Sequence, residues 1–246
     1  TLTEQLRLRH YLQGYGFKLV DKPQRSQATP HQQTLTDTLL RQIGSLEGPL
    51  STLNWLAQQA EIKGRLVADL DNHQQSNLGL EALLRNFSDA GALTVKNNQI
   101  HFASEADRDF VKGGWLELCV MQSIHVLTGR LGIRDKAVGL EVVDESGVMN
   151  ELDLAFMARN RLFVIECKTA RMDRPEAPKA NDTLFKLAEN CRRLGGVGAK
   201  GMLISYRNLR DPERNLARAL NIELVCGTDI NRLGERLTTW VGVRAG

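Results

Sequence analysis

Long apolar runs are missing from this chain of 246 residues, since none approaches 18 residues and no segment has the pattern of a secretion signal. Cysteines are few, and Cys119, Cys167, Cys191 and Cys226 stand alone within apolar segments. None of them has the paired spacing of a zinc site. These absences exclude membrane-spanning and zinc-finger proteins, and they predict a cytoplasmic protein with reduced, buried thiols.

Aromatic residues make up only 5% of the chain, so a dense platform for stacking nucleic-acid bases is excluded. The five histidines are dispersed and suggest no nucleophilic triad. The net charge of +3 is mild, but residues 159–218 hold 14 basic and 7 acidic residues. This local excess predicts basic loops that contact a polyphosphate, while scattered solubilising arginines are the alternative.

Two charged segments lie among strand-forming residues, one at Asp153 and one at Glu166 and Lys168. Side chains alternate along a strand, so Glu166 and Lys168 share one face. If Arg159 and Asn160 form a two-residue hairpin loop, Asp153 lies directly opposite Glu166. The pattern therefore predicts charged groups converging on one small patch.

Two opposed carboxylates repel each other unless something compensates them. A divalent cation is the simplest compensation, and Mg²⁺ or Mn²⁺ prefers such oxygen ligands. A bound metal would activate water for phosphodiester hydrolysis, with Lys168 orienting the nucleophile or stabilising the transition state. The alternative is an ordinary solvated strand face.

Asp153 followed by Glu166-Cys-Lys168, after the apolar run Leu162-Phe-Val-Ile165, resembles the PD-(D/E)xK nuclease superfamily. The proline of that signature is absent, because Leu152 precedes the acid. The resemblance implies that Asp153 and Glu166 bind Mg²⁺ or Mn²⁺ together with the backbone carbonyl of Cys167. It also implies that Lys168 assists catalysis.

The predicted elements have the α-β-β-β-α-β order of that superfamily's core, a restriction-endonuclease-like α/β fold over residues 105–246. A later strand and helix follow this core. The elements are helix 113–127, strand 137–144, strands 151–158 and 161–168, helix 181–194, strand 201–206, strand 222–225 and a last helix opening at 228 or 229.

Glu117 interrupts the apolar stripe of the first of these helices, and such a position is costly unless the acid is paired or at the rim. By resemblance it would join the catalytic residues, while the alternative is a glutamate at a helix end. Arg171, Lys186 and Arg207 are candidates for binding the substrate. For Lys186 the alternative is a solvated helix face.

Residues 31–104 are predicted to form a winged helix-turn-helix, with helices over 34–43, 50–60 and 78–90 and a hairpin turning at Asn97-Asn98. Its last helix exposes Glu81, Arg85 and Asp89, which gives two acids and one base. Since phosphate contact would favour the reverse, a spacer or a dimerisation module is favoured over a DNA reader.

Residues 1–30 contain one amphipathic helix and one short strand, which cannot make a core by themselves. They are predicted to be the tail of a truncated αβ domain plus a linker, in a chain cut from a longer protein. Together with Leu203-Ile-Ser-Tyr-Arg207 and Asn221-Ile-Glu-Leu224, this layout resembles CRISPR-associated ancillary nucleases that carry a CARF sensor.

That resemblance implies a homodimer whose sensor binds cyclic oligoadenylate and switches on metal-dependent cleavage of DNA, RNA or both in antiviral defence. Two alternatives remain open from the sequence. One is a restriction, repair or transposon-type nuclease without the sensor. The other is a non-enzymatic regulator that binds nucleic acid through its winged helix.

Overall fold

The computed structural model describes residues 6–20, 28–170 and 179–242. The helices are α1 (Leu8–Gly14), α2 (Pro30–Ile62), α3 (Asn72–Gln75), α4 (Leu78–Asp89), α5 (Glu105–Asp109), α6 (Trp115–Val126), α7 (Thr128–Leu131), α8 (Lys179–Gly195), α9 (Asp211–Ala219) and α10 (Leu233–Val241). The strands are β1 (Lys18–Leu19), β2 (Val67–Asp69), β3 (Leu93–Lys96), β4 (Gln99–Phe102), β5 (Ile133–Val143), β6 (Met149–Ala158), β7 (Arg161–Lys168), β8 (Lys200–Ser205) and β9 (Ile222–Cys226). The described residues divide into a sheet unit (6–20, 120–167 and 179–242) and a helical unit (28–119 and 168–170).

The sheet unit contains a six-stranded mixed sheet in the order β1-β5-β6-β7-β8-β9. The β1/β5, β5/β6 and β6/β7 pairs are antiparallel, and the β8/β9 pair is parallel. Strands β6 and β7 are apolar on both faces, so both are buried over most of their length. Phe156 on β6 stacks on Phe163 of β7 with ring centroids 4.9 Å apart, and Trp240 of α10 packs edge-on to Phe163.

From α6 to β8, the long elements follow the predicted α-β-β-β-α-β order. Helix α9 was not predicted; its sequence is polar, and only Glu213 and Ala217 are buried. The π-helical turn Phe110–Gly114 that precedes α6 was not predicted either. None of the described helices is both long and apolar enough to cross a membrane.

The N-terminal residues are part of the sheet unit. Strand β1 pairs with the end of β5, and Leu8, Leu12 and Phe17 are buried in the same apolar core as β6, β7 and α8. One helix and one strand cannot form a core alone, but these apolar side chains complete an existing one. The predicted domain boundaries, 1–30, 31–104 and 105–246, stay a prediction. The origin of the N-terminal residues in a sensor domain stays a prediction.

The helical unit contains α2 to α5 and a three-stranded sheet in the order β2-β4-β3. The predicted hairpin turn at Asn97-Asn98 is confirmed, since Val95 pairs with Ile100 and both asparagines have positive φ. On α4, Leu80, Leu83, Leu84 and Phe87 form the buried stripe. The winged-helix assignment itself stays a prediction.

The two predicted helices 34–43 and 50–60 are in fact one helix, α2, which continues through Pro49. Proline inside a helix costs about 3 kcal/mol. Buried residues nevertheless continue at alternating spacings of four and three, namely Leu39, Ile43, Leu46, Leu50, Leu53, Ala57 and Ala60. Burial of this unbroken stripe outweighs the cost of the single proline.

Candidate functional site

The hairpin between β6 and β7 has the predicted two-residue turn. Arg159 and Asn160 have φ values of 51° and 58°, which is typical of a type I′ turn. The pairing runs from Ala158 opposite Arg161 to Leu154 opposite Ile165. Continued by one step, this register would place Asp153 opposite Glu166, which is the arrangement expected from the sequence.

Asp153 is anchored to the partner strand. Its Oδ2 accepts a hydrogen bond of 2.7 Å from the backbone N–H of Cys167, one residue beyond Glu166. Hydrogen bonds to ionised acceptors are short and strong, so this contact fixes the half-buried carboxylate against β7.

Glu166 is only 6% exposed and follows four buried residues, Leu162 to Ile165. It therefore does not lie on a solvated face, which was the alternative drawn from the sequence. A buried carboxylate is costly unless hydrogen bonds, an ion pair or a metal ion compensate it. Lys168 is half-buried at the end of the same strand, two residues after Glu166.

A further acid, Glu141, was missed by the sequence reasoning. It lies on β5, is 8% exposed, and pairs directly with Glu151 of β6. Residues two apart on a strand share a face, so Glu141 and Asp153 lie on the same face of the sheet. The signal was an acid inside the apolar sequence Leu140 to Val143, within a segment that was predicted to be a strand.

The other predicted site residues differ in how far they are buried. Glu117 is half-buried in the first turn of α6, and Lys186 is exposed on α8. Arg207 is half-buried, and its Nε donates to the hydroxyl of Tyr206 at 3.2 Å. Arg171 lies outside the described residues. The roles of these four residues in catalysis or substrate binding stay predictions.

Several of the basic residues within 159–218 form ion pairs with acids. Arg210 directly precedes α9 and forms an ion pair with Glu213, which is 3% exposed. The hydrogen bond from Arg210 lowers the pKa of Glu213. On the sheet unit Arg193 pairs with Asp144, whose pKa is lowered chiefly by the backbone N–H of Val148. These ion pairs reduce the positive charge that these residues contribute.

A metal ion would have to be held with few protein ligands. Across residues 6–20, 28–170 and 179–242, no group of three or more His, Cys, Asp and Glu side chains is arranged to hold one. Asp153 and Glu166 supply two carboxylates. Mg²⁺ is usually bound by one or two carboxylates, with waters and substrate phosphates as the remaining ligands.

Comparisons with known proteins agree with this fold. No curated protein sequence matches the chain. Its structure is similar to protein VC1899 from Vibrio cholerae, with a TM-score of 0.84 and 29% identity over 97% of this chain and 62% of that one. It is also similar to Can2 from Sulfobacillus thermosulfidooxidans, solved in complex with cyclic tetra-adenylate, with a TM-score of 0.75 and 26% identity over 96% of this chain and 61% of that one.

A type III CRISPR defence DNA nuclease activated by cyclic oligoadenylate shares the fold, with a TM-score of 0.51 and 17% identity over 98% of this chain and 31% of that one. The chain thus spans about three fifths of the length of VC1899 and Can2. The family model described as the Card1-like endonuclease domain matches residues 104–243, which is more than half of the chain. The chain therefore belongs to the Card1-like endonuclease domain family.

Proposed function

We propose that this chain is the nuclease part of a CRISPR defence protein and that it hydrolyses phosphodiester bonds in nucleic acid with Mg²⁺ or Mn²⁺. The observation that carries the proposal is Glu166, a buried acid next in register to the anchored Asp153, within the region that matches the endonuclease family. Burial of Glu166 beside a second carboxylate is costly, and a divalent cation would offset that cost.

The donor set fits such a metal ion. Asp153, Glu166 and the backbone carbonyl of Cys167 would all present oxygen atoms, the hard ligands that Mg²⁺ and Mn²⁺ prefer. When bound, the metal lowers the pKa of a coordinated water and neutralises charge that develops on the attacked phosphate.

Other groups of the protein would assist the reaction. The N–H of Cys167 keeps the Asp153 carboxylate oriented before substrate arrives, which reduces the reorganisation needed during the reaction. Lys168 would donate hydrogen bonds to a phosphate oxygen or to the attacking water, since its ammonium is a compact cation with three donors. Glu117 would be a further acid of the catalytic group.

The substrate would be DNA, RNA or both, held through its phosphates. Arg171, Lys186 and Arg207 are the proposed contacts, and the exposed ammonium of Lys186 is available to a strand passing along α8. Because phosphate contacts release counterions, binding should weaken steeply as salt rises.

The relatives support a proposal about how the protein is regulated. Can2 is described in complex with cyclic tetra-adenylate, and another neighbour in fold as activated by cyclic oligoadenylate. We infer that the full-length protein is a cytoplasmic homodimer that senses cyclic oligoadenylate through a separate domain.

The decisive experiment incubates supercoiled plasmid, single-stranded DNA and RNA with the chain in Mn²⁺ or in EDTA, with and without cyclic tetra-adenylate. Glu166→Ala should lower the cleavage rate by about 100-fold or more. Glu189→Ala, which removes an exposed acid of α8 paired with Arg192, is the matched control and should cleave at the wild-type rate. Equal cleavage by wild type and Glu166→Ala, or no cleavage under any condition, would contradict the proposal.

A further inference from the structure

Three groups of the helical unit meet at Thr169, the residue that follows Lys168. The Asn54 Nδ2 on α2 donates to the Thr169 Oγ1 at 3.0 Å and also to the carbonyl oxygen of Lys112. The Thr169 hydroxyl in turn donates to that same carbonyl at 3.0 Å. We call Asn54, Thr169 and the Lys112 carbonyl the Asn54 cluster.

The local structure is shaped to admit this cluster. Lys112 lies in the π-helical turn before α6, a rare geometry that recurs at functional sites. The next residue is Gly113, where a Cβ atom would lie only 2.6 Å from the Thr169 Oγ1. Glycine therefore lets the threonine approach the turn, and any larger residue would displace it.

Helix α2 anchors Lys112 at a second point. The Lys112 ammonium lies 2.6 Å from the carboxylate of Glu61, two turns after Asn54 on α2. Both the carbonyl and the side chain of Lys112 are thus bound to α2. The Asn54 cluster consequently joins three chain segments: α2, the π-helical turn and the residue that follows β7.

The position of this cluster in the chain gives it a role. Thr169 directly follows Lys168, and the turn that holds Lys112 leads into the first turn of α6, which carries Glu117. We propose that Asn54 and Thr169 are positioning residues that act through the backbone to hold Lys168 where the reaction needs its ammonium. This inference rests on the proposed function, because it assumes that Lys168 takes part in catalysis.

Catalysis is more sensitive than folding to such a displacement. A group displaced by about 1 Å can lose about 100-fold in rate, because reacting atoms must be held in near-attack geometry. We expect the nucleic acid still to bind, since Lys186 and Arg207, two of the proposed phosphate contacts, are not part of the Asn54 cluster. Loss of the cluster should therefore lower kcat and leave KM nearly unchanged.

The test compares four variants of the full chain. Thr169→Val removes the hydroxyl at nearly constant shape, Thr169→Ser keeps it, and Asn54→Ala removes the amide. Thr52→Val is the matched control, because the Thr52 hydroxyl donates to Gly48 within α2. We expect kcat for Mn²⁺-dependent cleavage to fall about 10- to 100-fold in Thr169→Val and Asn54→Ala, with KM within about 3-fold of wild type. Thr169→Ser and Thr52→Val should cleave nearly as wild type does.

Hydrogen–deuterium exchange provides a readout that needs no activity. Peptides covering residues 166–170 and 110–117 should exchange at least about 10-fold faster in Thr169→Val and Asn54→Ala, and at the wild-type rate in Thr169→Ser. Unchanged exchange in Thr169→Val, or an equal loss of kcat in Thr169→Ser and Thr169→Val, overturns the inference. A wild-type protein that does not cleave with Mn²⁺ contradicts the proposed function instead, and exchange then decides whether the cluster holds this backbone.

Discussion

Replacement of Asp153 by Asn separates its structural role from metal binding. Asn keeps an oxygen that can accept the N–H of Cys167, but a neutral acceptor replaces the charged one. A charge-assisted hydrogen bond contributes about 1.5 to 3 kcal/mol and a neutral one about 1 kcal/mol, so the variant should lose about 1 kcal/mol in EDTA. Reduced repulsion from Glu166 acts in the opposite direction. The melting temperature should therefore fall by no more than about 2 to 4 °C.

The response to metal should differ far more. At a free Mn²⁺ concentration near 100 times Kd, binding stabilises the wild type by about 2.7 kcal/mol, which corresponds to about 5 to 10 °C in melting temperature. Asp153→Asn lacks one of the proposed ligands, so we expect it to show less than about a third of this shift over the same titration. Differential scanning fluorimetry in EDTA and across a Mn²⁺ series measures both effects.

Asp135→Asn is the matched control. Asp135 lies on β5 of the same sheet, and its Oδ2 accepts the backbone N–H of Leu8 at 3.0 Å. This variant should lose similar stability in EDTA and still keep the full Mn²⁺ shift. A wild-type Mn²⁺ shift in Asp153→Asn would refute the assignment of Asp153 as a ligand.

Two further predictions concern the framework of the sheet unit. Asn160 has a φ of 58°, a left-handed conformation that alanine adopts only at a cost and glycine adopts readily. Asn160→Ala should therefore destabilise the protein by about 1 kcal/mol, and Asn160→Gly should not. Equal urea midpoints for the two variants would contradict this prediction. The hydrogen bond from Arg210 lowers the pKa of Glu213 in the folded protein. The ion pair therefore stabilises the fold at pH values above the ordinary glutamate pKa of about 4.3. This stabilisation is lost as the pH falls through the lower pKa of the folded state. Glu213→Gln should lower the free energy of unfolding by about 1 kcal/mol at pH 7, a small value because solvent screens the partly exposed Arg210. The difference in unfolding free energy between variant and wild type should become smaller below about pH 4. A difference that stays constant with pH in urea unfolding would argue against the mechanism.

Much of the sheet unit could be predicted because its signals are local. Alternating polar and apolar residues marked the start of β6, an apolar run marked β7, and the Arg159-Asn160 turn set their register. The continuity of α2 could not be predicted in this way, because the cost of Pro49 is local while the compensating burial involves the rest of the helical unit. The pairing of Arg210 with Glu213 depended on α9, a short and mostly polar helix that was not predicted.

The sequence by itself determined that side chains alternate along the two strands, and with a two-residue turn this alternation sets which acids are neighbours. Only the tertiary structure decided how those acids are held. Glu166 and Glu141 are buried by other parts of the sheet unit. The contact of Asp153 with Cys167 joins residues 14 positions apart, and the hydrogen bond between Asn54 and Thr169 joins residues 115 positions apart. Such contacts depend on how whole elements pack, because burial and long-range hydrogen bonds arise only when separate segments of the chain meet.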